Sequence, residues 1–328
     1  MALTDRSRTD VRLLNRVCLV ILCVTSCLEI SLADGTQEAP PSFLFQWGTP
    51  GHALSQFGNP HGLTLDAIGQ VYVLDTYNKR IQIFDRNGSF VNVWGQTGTD
   101  PGQFMIPEAM AFASSGELVV VDRFNNTVQE FVGSGQLLRW WSGSELGVSD
   151  GPTGVAVDDS ENVYVADAAG GKIRKFTWQG VLLKEWHVSG GPGRIAIDKN
   201  DVLYVTNGFG DIVKYLRDGT FVTSWHLDYG STEALGTDHD GNVYVGRIGG
   251  IVKYSSDGKE LADWGSWGSG EGQFRGPGGI GFSQDGRIYV VDPGDAFPAF
   301  REGRVQVFQS VPTSVKRSFW GSLKGRYR

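Results

Sequence analysis

Six tryptophans recur along this chain: Trp47, Trp94, Trp141, Trp186, Trp225 and Trp264, each closing a short apolar run. Five of them stand six residues after a glycine, as in Gly88-Ser-Phe-Val-Asn-Val-Trp94 and Gly135-Gln-Leu-Leu-Arg-Trp-Trp141. A fixed period of about 40 to 50 residues, built from runs of strand length, restricts the chain to a repeat array or a propeller. Trp47 departs from the pattern, because its run, Phe43-Leu-Phe-Gln-Trp47, opens the periodic region with no repeat before it.

Three further runs lie between successive tryptophans. The first alternates apolar and small residues and often ends in Asp, as in His61-Gly-Leu-Thr-Leu-Asp66 and Thr153-Gly-Val-Ala-Val-Asp158. A turn rich in Gly, Asn and Asp follows, residue types that tolerate the left-handed conformations of hairpins. The second run is Val71-Tyr-Val-Leu-Asp75 and its echoes, and the third is Arg80-Ile-Gln-Ile-Phe84 and its echoes. These β-branched and aromatic runs alternate with period two, so each unit reads as four antiparallel strands, a propeller blade.

Six copies of the first three strands occur, but the sixth, ending at Phe308, is not followed by a glycine-to-tryptophan run. Phe43 to Trp47 supplies the missing outer strand. The expected fold is therefore all-β: a six-bladed propeller of four-stranded antiparallel blades, closed by an N-terminal strand that completes the last blade. Closure removes the unpaired edges that an open array would expose. The repeated tryptophans read as packing residues covering the joint between blades.

The chain divides into three parts. Residues 1–33 combine Arg6, Arg8, Arg12 and Arg16, an apolar stretch from Val17 to Ile30, and the small-residue pattern Ser31-Leu-Ala33, which reads as an export signal. Val24-Thr-Ser-Cys27 also fits a bacterial lipoprotein processing box, in which case 1–26 is removed and Cys27 carries lipid, attaching the protein to a membrane. The expected location is secreted or cell envelope. Residues 43–310 form the propeller, and 311–328 a basic tail with Lys316, Arg317, Lys324, Arg326 and Arg328 but no acid. The tail reads as a solvated end, or, with Phe319, Trp320, Leu323 and Tyr327, as a sorting or surface-attachment signal. All three cysteines fall in the first part, so the propeller has neither disulfides nor thiol chemistry. Without the two flanking segments the chain keeps 20 basic and 33 acidic residues, a surface that repels phosphate backbones and argues against nucleic acid.

The connectors Ser55-Gln-Phe-Gly-Asn-Pro60, Gly102-Gln-Phe-Met-Ile-Pro107 and Gly272-Gln-Phe-Arg-Gly-Pro277, with Asp75-Thr-Tyr-Asn-Lys-Arg-Ile81, resemble NHL repeats over about residues 43 to 310. Blades one, two, three and six resemble the family most closely; blades four and five lack the Gln-Phe connector. The resemblance implies a six-bladed ring whose members are mostly interaction platforms, with a minority of enzymes. Peptidyl-hydroxyglycine amidating lyase has this fold, and resemblance to it would require histidines from three blades to bind zinc. Here the equivalent positions are His61, Glu108 and Thr153, so His61 alone meets that requirement.

Two functional expectations follow. The first is a non-enzymatic platform binding a protein, peptide or glycan, with no cofactor, through loops carrying Tyr77, Arg80, Arg123, Phe124, Phe209, Arg247 and the insert with Phe297 and Phe300. Aromatics beside Arg are typical of interaction surfaces. The second is a metal-assisted lyase or hydrolase at the channel mouth, with His61, Glu108 and Glu233 converging on a divalent ion. No nucleophilic Ser motif, phosphate loop or Cys-His pair is present, and no catalytic residue is assigned.

Overall fold

The structure is a computed structural model that describes residues 37–142, 147, 151–229, 232, 234–294 and 303–310. The segment 1–33 with Cys27, the tail 311–328, Glu233, Phe297 and Phe300 lie outside the described residues. Six four-stranded antiparallel sheets make up the fold. The first consists of Gly62–Leu65, Val71–Asp75, Arg80–Phe84 and Phe90–Trp94, running from the axis outward. The innermost strands of the next four blades are Pro107–Phe112, Gly154–Val157, Pro192–Ile197 and Ala234–Thr237.

The sixth blade draws on both ends of the described chain. Its inner strands are Gly279–Phe282, Arg287–Asp292 and Arg304–Gln309, and its outer strand is Ser42–Trp47. The register pairs Trp47 with Val305 and Phe43 with Phe308, as the orphan run predicts.

Each tryptophan seals a joint between blades. In five of the six the indole packs on the third-strand aromatic of the following blade, with centroids 5.5 Å apart for Trp47 and Phe84, 4.7 Å for Trp94 and Phe131, and 5.9 Å for Trp186 and Tyr215. The glycine of the recurring motif belongs to the same contact. A Cβ at Gly88 would lie 2.8 Å from the Trp47 ring, and one at Gly135 would lie 2.3 Å from Trp94. The Gly-x5-Trp spacing thus records two successive joints: the glycine receives the preceding blade's indole, and the tryptophan, Trp264 apart, covers the next blade's glycine.

Tight turns do not account for every glycine. At the axis, Gly154 and Gly279 let neighbouring inner strands approach closely, since added Cβ atoms would lie 2.6 Å from Gly193 O and 2.7 Å from Leu63 N. The second-strand residues Val71, Val119, Val163, Leu203, Val243 and Val290 are fully buried and form the body of the core.

One core carboxylate makes stability depend on pH. Glu130, on the strand Thr127–Val132, is 1% exposed, with Oε2 3.3 Å from Arg139 and Oε1 without a hydrogen-bond partner among the described residues. Burial pushes its carboxyl up to about 7 against the pull of Arg139, and Glu117 and Glu161 add to the rise. A folded-state value above the ordinary 4.5 means that this group's stabilising contribution is complete below 4.5 and is lost as pH rises through about 7. The thermal midpoint should fall between about pH 5 and about pH 8, and Glu130→Gln should flatten that profile in calorimetry. A profile equally steep in the variant would show that other groups carry the dependence.

Candidate functional site

The loops entering each inner strand and those joining strands two and three share one face, here called the upper face. The carboxylate that ends the second strand ties them together. Buried Asp75 accepts hydrogen bonds from Gly58 N at 2.6 Å, Arg80 Nε at 2.7 Å, Asn78 Nδ2 at 2.8 Å and Gln82 Nε2 at 3.1 Å. Asp122 accepts from Met105 N at 2.7 Å and Asn125 N at 2.9 Å, and Asp292 from Arg275 N and Gly276 N, each at 3.2 Å.

The Gln-Phe connectors have a partner that sequence reading missed. Gln82 accepts from Ser55 N at 2.9 Å and donates to Gln56 O at 2.7 Å. Gln129 accepts from Gly102 N at 2.7 Å and donates to Gln103 O at 3.1 Å, and Gln306 does the same with Gly272 N at 2.9 Å and Gln273 O at 2.7 Å. Each connector then buries its phenylalanine, Phe57, Phe104 or Phe274, completely.

This framework divides the six expected binding residues into two groups. Arg80 is structural: besides Asp75 it donates to His52 O at 2.9 Å, Ala53 O at 2.8 Å and Gln56 O at 2.9 Å. Arg247 is engaged as well, gripping both oxygens of Asp263 at 2.7 and 2.8 Å. The Arg123 backbone closes on Gly151, where a Cβ would lie 1.9 Å from its carbonyl oxygen, and its charge helps hold the Glu108 carboxyl down. The aromatics behave differently. Tyr77, Phe124 and Phe209 are 50%, 63% and 64% exposed, and all three stand two residues beyond the end of the second strand. Trp267 and Ile248, each 61% exposed, belong to the same face but were missed, since Trp267 lies off the tryptophan beat and Ile248 occurs in a Gly-containing turn.

A basin of about 780 Å3 opens beside Phe209, lined by Gly190, Gly191, Pro192, Asn207, His226 and Asp228 among others. The Phe209 ring lies against Gly190, where a Cβ would be 2.9 Å from it, so one face of the ring has a backbone support. His226 Nδ1 pairs with Asp211 Oδ1 at 2.8 Å on the rim.

At the channel mouth, His61 Nδ1 is 3.6 Å from Glu108 Oε1, and Asn59 Nδ2 is 2.9 Å from His61 Nε2. Arg194, a residue not anticipated, brings its guanidinium 3.2 Å from the same Glu108 oxygen and donates to Thr153 O at 3.3 Å. Both Glu108 and Arg194 sit at register shifts of their inner strands, between Pro107 and Ala109 and between Pro192 and Ile195. Such bulges re-aim a side chain. Burial raises the Glu108 carboxyl, but His61, Arg194 and Arg123 outweigh it and hold the group below its usual range. Glu108 thus shares one carboxylate oxygen between His61 and the Arg194 guanidinium. No group of three metal-ligating side chains occurs among the described residues.

The NHL repeat family model matches residues 57–84, from the buried connector Phe57 to the end of the third strand of blade one. NHL repeat-containing protein 3 of Mus musculus is 45% identical over 47 residues, as is its Homo sapiens counterpart, and the match covers 14% of this chain and 14% of each of those proteins. Among solved structures, a gluconolactonase from Xanthomonas campestris gives a TM-score of 0.63 at 15% identity, covering 84% of this chain and 96% of that one. Virginiamycin B lyase from Staphylococcus aureus gives 0.56 at 13% identity, covering 77% and 95%. At these identities the structural likeness establishes the fold. The chain thus carries an NHL repeat in its first blade and folds as a β-propeller of six four-stranded blades.

Proposed function

We propose that this protein is an exported, non-enzymatic binding platform that holds a protein, peptide or glycan on its upper face. One observation carries the reading: Tyr77, Phe124 and Phe209 recur at one repeat position and are exposed there. Aromatics repeated for packing are buried, as Tyr164, Tyr204, Tyr244 and Tyr289 are in the second strands. A repeated aromatic left in water costs solubility without adding to the core, so binding is the function that accounts for it. The channel cavity beneath His61 is about 70 Å3, room for roughly two waters, which favours binding at the rim over turnover at the axis.

The test compares the propeller with a Tyr77→Ala, Phe124→Ala, Phe209→Ala triple variant in capture experiments from the source's own secreted or envelope fraction. The variant should lose the captured ligand, with affinity down about 100-fold or more, while its melting temperature stays within a few degrees. Undiminished capture would overturn the proposal.

A further inference from the structure

The face opposite the aromatics has a different character. Its inner turns, joining the first and second strands, carry nine carboxylates and one lysine, Lys199, among the described residues; Asp158, Asp201 and Asp285 are already paired with Lys175, Arg217 and Arg86, the others being open to a further cation. Asp66 and Asp238 accept hydrogen bonds from backbone N–H groups of their own turns, at 2.8 to 3.0 Å. Two cavities of about 470 and 210 Å3 open here, and they meet at His239, Phe282, Ser283 and Gln284, which line both. Phe282 gives this groove an apolar floor, and Ile68 at one rim is 80% exposed.

The chain itself leads into the groove. Ser310, the last described residue, lines the smaller cavity and is fixed there by Ser310 N to Gly286 O at 3.0 Å and Ser310 Oγ to Gly286 O at 2.8 Å. The 18 residues that follow, 311–328, carry five cations, no acid, and Phe319, Trp320, Leu323 and Tyr327. We propose that this segment seats on the lower face of its own propeller, with Phe319 and Trp320 over Phe282 and the cations among the carboxylates of the inner turns. The match is one of sign, of apolar content and of place, because the segment starts where the groove starts. Extended chain spans about 3.3 Å per residue, so 18 residues reach well past both cavities. Seated in this way, the basic segment shields an acidic surface and leaves the upper face open to its ligand.

Hydrogen exchange read by mass spectrometry on the intact chain, with residue 328 verified by mass, tests the proposal. The turns at 238–242 and 283–286 should exchange on the order of tenfold more slowly in the wild type than in a Phe319→Ala, Trp320→Ala variant. Asp240 is exposed. Asp240→Lys should abolish the protection, and adding Lys316→Glu with Arg317→Glu should restore it. Identical exchange in the wild type and the aromatic variant would overturn the proposal, as would protection that grows with protein concentration, since the segment would then belong to a second copy.

Discussion

Gly135→Ala is expected to lower the unfolding free energy by about 3–4 kcal/mol, read as a shift in the urea midpoint. Two costs combine. Gly135 has φ of +98°, where a Cβ costs about 1–2 kcal/mol, and the new methyl would lie 2.3 Å from the Trp94 ring. That indole is packed between Phe104 and Phe131, with centroids 6.2 and 4.7 Å away, so it cannot retreat without opening the joint between blades one and two. Gly116→Ala supplies the control. Gly116 has φ of +94° but nothing within 4 Å of its Cβ position, so its substitution carries the backbone cost alone. Equal losses at the two sites would show that the indole contact contributes nothing beyond local turn geometry.

Asp75→Ala should cost about as much, roughly 3–5 kcal/mol, because it strands partners that are largely buried. Arg80 would lose its 2.7 Å ion pair, Gly58 N and Gln82 Nε2 their acceptor, and the connector from His52 to Gln56 its brace. The loss should appear twice, as a lower urea midpoint and as faster proteolysis within residues 51–58. Asp75→Asn keeps the shape and one acceptor oxygen, so it should fall between wild type and Ala. A full-strength connector in Asp75→Ala would mean that Gln82 suffices to hold it.

The architecture was legible because its signals are local or periodic. Period-two runs of β-branched residues, the glycine-to-tryptophan spacing and the unpaired run ending at Trp47 each have one structural solution, and together they specify ring and closure. The exposed aromatics were also within reach, since Tyr77, Phe124 and Phe209 share a repeat position. What the sequence left unread concerns residues whose contacts depend on a distant partner. Arg80 looks like a surface arginine until Asp75 and the connector carbonyls surround it. Arg194 is not legible from the repeat, because the strand irregularity between Pro192 and Ile195 shifts it out of register to the mouth. One signal was present and unused: Gln82, Gln129 and Gln306 occupy the third strand only in the blades that have a Gln-Phe connector.

The shared sixth blade also sets the order of events during synthesis. Among the described strands Ser42–Trp47 is made first, yet its partner, Arg304–Gln309, is made last. At about 5–20 residues per second, the early strand waits roughly 13 to 50 seconds for its neighbour, and Phe43, whose ring packs on Phe308, lacks that partner throughout. Earlier blades can form in sequence, but none can lock the ring, and a nascent chain stopped anywhere short of the last strand presents two sticky edges. Whatever attends this protein while it is being made must therefore shelter its beginning until its end arrives.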